Sequence, residues 1–158
     1  MIELEVSTAG AMQALGERIG RNGRAGDLVL LVGDLGAGKT TLVQGLGLAL
    51  GVAEQVTSPT FVIARVHVTA PGLPNLLHVD AYRLGSAIEF DDLDLAADVD
   101  ESVTVVEWGE GKAEQLAGDY LVVKISRSDK GIDETRYVAI SSVGERWTLS
   151  DLALLAGS

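Results

Sequence analysis

Residues 33–42 read GDLGAGKTTL, and the spacing within them decides the fold. Gly33, Gly38, Lys39 and Thr40 satisfy G-x-x-x-x-G-K-[ST], the pattern of a loop that wraps phosphate oxygens. Glycines at 33, 36 and 38 permit unusual backbone angles and a close approach of main chain to ligand. Inward-turned N–H groups join the positive end of the following helix as an anion site. Lys39 supplies a point charge for terminal phosphates, Thr40 a hydroxyl for magnesium, and Thr41 a further bond to an inner phosphate. A glycine-rich turn with a chance lysine is the plain alternative, and context separates the two. On one side Leu28 to Val32 are continuously apolar, as in a strand buried on both faces of a parallel sheet. On the other, TTLVQGLGLALG reads as a helix ending near Gly51. Strand, glycine loop and helix start, in that order, are what a phosphate cradle requires.

The flanking sequence extends the pattern. AMQALGERIGRN, residues 11–22, sets Met12, Leu15 and Ile19 at helical spacing, with Ser7 or Thr8 as N-cap. VTSPTF is a loop, because Pro59 holds Ser58 extended. FVIARVHV and NLLHVDAY read as strands joined through TAPGLP, which predicts a hairpin after that loop. Residues 86–101, SAIEFDDLDLAADVDE, predict a helix and an acidic loop. VTVVEW, YLVVKIS and RYVAISS are further strands, and TLSDLALLA a last helix capped by Thr148 or Ser150. With no repeat and no low-complexity linker, the expectation is α/β: one domain spanning 1–158, its central, mostly parallel sheet flanked by helices.

Composition excludes several function classes. At 158 residues, one domain burying about 70% of its unfolded surface is expected. A net charge of −11 and a pI near 4.4 argue against independent nucleic-acid binding, which needs a basic face. The absence of cysteine removes disulfides, thiolate metal sites and thiol nucleophiles. MIELEVSTAG lacks the features of a signal peptide, and no apolar run reaches about 18 residues. A cytoplasmic protein without membrane association is expected.

A magnesium-bound phosphate also calls for a carboxylate at the end of a neighbouring strand. Asp80 ends LLHVD and Glu107 ends VTVVE, and the residues alone do not rank them. The plain alternative for either carboxylate is a strand's exit to solvent. Thr60, in SPTF, sits where many nucleotide hydrolases carry a phosphate-sensing switch, although an ordinary proline turn reads the same way. Trp108 is a packing residue or a partner contact. His78 alternates with Asp80 and shares its face, where a packed, hydrogen-bonded role is the simpler one. Arg83 suits an ion pair or a phosphate. From Glu89 to Glu101 run seven acidic residues and no basic one, a solvated face or a dock for a basic partner. The base is expected to be adenine, because no Asn-Lys-x-Asp is present to read guanine; the nearest segment is RSDKG. A small-molecule kinase is the rival reading, weakened by eight arginines spread singly with no obvious lid.

GDLGAGKTTL, VTSPTF, HVDAYRL and VVEW, in this order and at these intervals, resemble the TsaE (formerly YjeE) family over about residues 7–145. The resemblance implies a P-loop NTPase fold and an ATPase of bacterial tRNA threonylcarbamoyladenosine synthesis. It implies association with the TsaB–TsaD pair, in which TsaD transfers the threonylcarbamoyl group and ATP hydrolysis sustains repeated cycles. By position, the nucleotide contacts fall on Leu35, Gly36, Ala37, Gly38, Lys39 and Thr40, with Lys39 the essential lysine. Thr40 and Glu107 match magnesium contacts, Asp80 a carboxylate needed for activity, and Thr60 the switch threonine. Trp108 completes the Glu-Trp signature. The family often carries threonine where Met12 stands, near the expected base pocket, so no adenine-reading residue is assigned.

Overall fold

The apolar run before the glycine loop becomes the middle of a sheet. The computed structural model describes residues 1–34, 36–53, 56, 64–81, 88, 95–127 and 134–157. Seven strands join in one sheet: β1 (Ile2–Val6), β2 (Leu28–Val32), β3 (Ala64–His67), β4 (Asn75–Asp80), β5 (Ser102–Glu107), β6 (Tyr120–Arg127) and β7 (Arg136–Val143). Their spatial order is β1-β7-β6-β2-β5-β4-β3. The four central strands, β6-β2-β5-β4, are parallel. At the edges β7 runs antiparallel to β6, β1 antiparallel to β7, and β3 antiparallel to β4. Parallel pairing is thus a property of the centre rather than of the whole sheet. Two of the antiparallel pairs, β3–β4 and β6–β7, join consecutive strands, which need no crossover, whereas β1 pairs β7 from the opposite end of the sequence. The hairpin expected after VTSPTF is β3–β4.

Strand β1 has no counterpart in the expectation. Its signal is the alternation in IELEV: Glu3 and Glu5 are exposed, whereas Ile2 and Leu4 are partly covered and Val6 is buried.

Helices cover the sheet unequally. Three of them, α1 (Ala9–Asn22), α2 (Lys39–Ala49) and a C-terminal helix Leu149–Leu155, share a core with one face. Met12, Leu15, Ile19, Leu42, Leu46 and Leu152 meet Val29, Leu31 and Val105 there. Leu28 and Leu30 of β2 point the other way, into a smaller cluster with Leu77, Val79, Val106 and Val99. That alternation explains why all five residues of β2 are apolar: both faces are covered. Thr8 is the cap of α1, its Oγ1 accepting from the Ala11 N–H at 3.0 Å. Thr148 caps the C-terminal helix in a reciprocal box with Asp151. Among the described residues no helix is long and apolar enough to cross a membrane.

Helix α2 carries the loop lysine, so its depth on the sheet matters. Two glycines let α1 and α2 touch backbone to backbone. A Cβ at Gly16 would overlap the Leu42 carbonyl oxygen, and one at Gly45 would overlap the Gln13 carbonyl oxygen. A methyl group at either position therefore pushes the helices apart. Gly45→Ala should destabilise the fold by about 1–3 kcal/mol, because overpacking outweighs alanine's better helix propensity. Urea unfolding checks this through a lowered midpoint at constant slope; an unchanged or raised midpoint would contradict it.

Candidate functional site

The glycine loop leaves β2 after Val32 and enters α2 at Lys39. Gly36 and Gly38 both have positive φ, 78° and 111°, which side chains disfavour. Gly33 passes so near β6 that a Cβ would lie 2.7 Å from the Ile125 carbonyl oxygen. Lys39 folds back across this loop. Its Nζ donates to the Gly33 carbonyl at 2.6 Å and stands over the Trp108 ring, 4.0 Å from the centroid. The residue is only 5% exposed. Burial pulls its pKa below the ordinary lysine value, opposed by the negative charges of Glu107, Asp80 and Asp34.

Register brings the carboxylates to the lysine. On β5, Glu107 pairs with Leu31 of β2 on one side and with Asp80 of β4 on the other. Both carboxylates therefore end adjacent parallel strands at the edge where β2 turns into the glycine loop. Trp108 then turns sharply with φ 60°, the one described non-glycine residue at positive φ. Glu107 is buried, and its Oε2 lies 2.6 Å from Nε2 of the fully buried His78.

Two hollows flank the loop. One, of ≈ 500 Å³, is lined by Asp34, Trp108, Lys112, Lys124 and Arg127 among others. The other, of ≈ 160 Å³, lies between the start of α1 and the loop and includes Thr8, Met12, Thr41 and Arg136. Arg136 Nε donates to the Ala37 carbonyl at 3.2 Å, tying β7 to the loop. Met12 packs beneath Gly38.

Of the residues singled out in the sequence, Gly36, Ala37, Gly38, Lys39, Thr40 and Thr41 form the loop and the first turn of α2. Lys39 stacks on Trp108 and feels the charges of Asp80 and Glu107. Leu35, Thr60, Arg83 and the acidic residues from Glu89 to Asp94 lie outside the described residues. The sequence reading missed two contacts: the pairing of His78 with Glu107 and the grip of Arg136 on the loop. The HVD alternation carried a signal for the first. For the second there was none, since Arg136 and Ala37 are 99 positions apart.

Among the described residues, no group of three or more histidine or acidic side chains is arranged to hold a metal by itself. Two adjacent carboxylates and the Thr40 hydroxyl are hard oxygen donors. They fit a magnesium ion that takes its remaining ligands from phosphate and water. They do not fit an all-protein cage.

Comparison with known proteins bears on the family and the fold. The family model described as "Threonylcarbamoyl adenosine biosynthesis protein TsaE" matches residues 6–138. The tRNA threonylcarbamoyladenosine biosynthesis protein TsaE of Streptomyces coelicolor is 54% identical over 148 residues, covering 92% of this chain and 100% of that one. The protein of the same name from Bacillus subtilis is 36% identical over 129 residues, covering 80% and 76%. The crystal structure of Bacillus subtilis YdiB superposes with a TM-score of 0.76 at 29% identity, covering 99% of this chain and 94% of that one.

The electrostatics of Lys39 can be tested by titration. Glu107 is the largest of the influences that raise the lysine's pKa against burial. Glu107→Gln should therefore lower that pKa further. NMR of isotopically labelled lysine side chains reads the change, and an upward shift would reverse this ordering of forces.

Proposed function

The chain belongs to the TsaE family of tRNA threonylcarbamoyladenosine biosynthesis proteins, and from that premise we propose that it is the ATP-binding and ATP-hydrolysing subunit of that pathway. It acts with the TsaB–TsaD pair and does not itself transfer the threonylcarbamoyl group. The observation that carries this reading is the buried Lys39 ammonium at the head of α2, beside two strand-end carboxylates. An ammonium that burial disfavours, next to the positive end of a helix, gains from a phosphate more than an exposed lysine does.

In this reading the loop N–H groups from Leu35 to Thr41 hold the phosphate chain, and Lys39 reaches its terminal groups. The Thr40 hydroxyl and the Glu107 carboxylate hold magnesium. When bound, magnesium supplies charge neutralisation across the phosphates. Asp80 orients the attacking water. Thr60 is the proposed sensor of the terminal phosphate, and Trp108 keeps Lys39 in place between nucleotides. The acidic net charge suits a subunit that leaves tRNA binding to its partners.

One observation favours a second reading. A small-molecule kinase needs an acceptor pocket beside the phosphate loop, and the ≈ 500 Å³ hollow offers one. Phosphate release from ATP separates the two, measured on the protein alone, with TsaB–TsaD, and with a panel of hydroxylated metabolites. Slow turnover alone and stimulation by the partners is the expected result. Phosphorylation of a metabolite without response to the partners would establish the kinase.

The assigned residues predict distinct losses. Lys39→Ala should weaken ATP binding by about 2–3 kcal/mol, roughly 30- to 150-fold, and abolish hydrolysis. Calorimetric titration giving wild-type affinity would remove Lys39 from the site. Glu107→Ala should lose the magnesium-dependent part of ATP affinity, whereas Asp80→Ala should bind nearly normally and hydrolyse poorly. Equal magnesium effects in both variants would refute that division.

A further inference from the structure

The proposed function uses Glu107 but leaves its buried partner, His78, without a task. His78 lies on β4 opposite Val105, one side-chain repeat before the Asp80–Glu107 pair. Its ring is fully buried, and Nε2 stands 2.6 Å from Glu107 Oε2. A carboxylate only accepts, so Nε2 carries the proton and donates it. The ring's other nitrogen, Nδ1, is buried with no hydrogen-bond partner among the described residues. Glu107 is therefore the polar anchor of this ring, and the ring the anchor of Glu107.

That geometry matters for a metal-holding carboxylate. A glutamate has three rotatable side-chain bonds, and holding them in one arrangement costs entropy each time a ligand binds. A fixed N–H on one oxygen removes that cost beforehand and commits Oε2, leaving Oε1 available. We propose that His78 is a positioning residue that presents the Glu107 carboxylate to the divalent cation of a bound nucleotide. The proposal rests on the reading of Glu107 as a magnesium-holding group. A histidine that only fastened β4 to β5 would have no such selective effect.

Calorimetric titration with ATP, in magnesium and in EDTA, tests this. The proteins compared are wild type, His78→Leu, His78→Asn and His78→Gln, each also in the Glu107→Ala background. Leucine removes the donor and asparagine holds its amide too short. Glutamine keeps an N–H near the reach of Nε2. The leucine and asparagine proteins should lose about 10- to 100-fold of the affinity gained from magnesium and keep their affinity in EDTA. Glutamine should restore most of the gain, and no His78 variant should lose more once Glu107 is alanine. Full magnesium gain in the leucine and asparagine proteins would overturn the proposal. So would an equal loss in magnesium and EDTA, a further loss on top of Glu107→Ala, or the failure of both proteins to fold by circular dichroism. If only the leucine protein fails to fold, the asparagine protein decides. A wild type with no magnesium gain would instead strike the reading of Glu107 itself, and His78's role with it.

Discussion

A buried ammonium at the positive end of a helix is the constraint around which this molecule is arranged. Lys39 begins α2, where unpaired N–H groups already concentrate positive charge, and it is almost entirely covered. Isolated, such a group would be strongly disfavoured. Here the Gly33 carbonyl, the face of Trp108 and three nearby carboxylates offset the cost. The arrangement is still incomplete in a specific sense: burial wins, and the lysine's pKa is lowered. An anion placed on the loop would favour the charged ammonium, which accords with the proposed phosphate binding.

The rest of the fold holds that point in place. Strand β2 is covered on both faces, so the loop springs from the doubly buried centre of the sheet. Parallel pairing of β2 with β5, and of β5 with β4, sets Glu107 and Asp80 level with the loop, and β6 limits the path of Gly33. On the other side, the backbone contact of α1 with α2 through Gly16 and Gly45 sets the depth of the lysine-bearing helix. Each restraint acts on the few ångströms that separate charge from counter-charge.

Family membership ties this chain to tRNA threonylcarbamoyladenosine biosynthesis. A chain with net charge −11 is poorly suited to grip RNA by its own surface. The proposed division of labour, nucleotide chemistry here and RNA handling elsewhere, is consistent with that charge.

Much of this was legible in the sequence because it depends on neighbours in the chain. Glycine spacing, the apolar run Leu28–Val32, and the caps at Thr8 and Thr148 are short-range signals, and each specifies its own backbone. The end of VTVVE marked Glu107 as a candidate for the same reason. Tertiary structure alone decided who stands beside whom. That Glu107 lies between Leu31 and Asp80 follows from register across crossover connections, which no short stretch encodes. The pairing of β1 with β7, the hold of Arg136 on Ala37 and the closure of His78 on Glu107 are likewise set by tertiary packing. Sequence determined which residues could carry the chemistry; the packing of the sheet determined which of them meet, because contact between distant residues is set by the summed burial of the whole core.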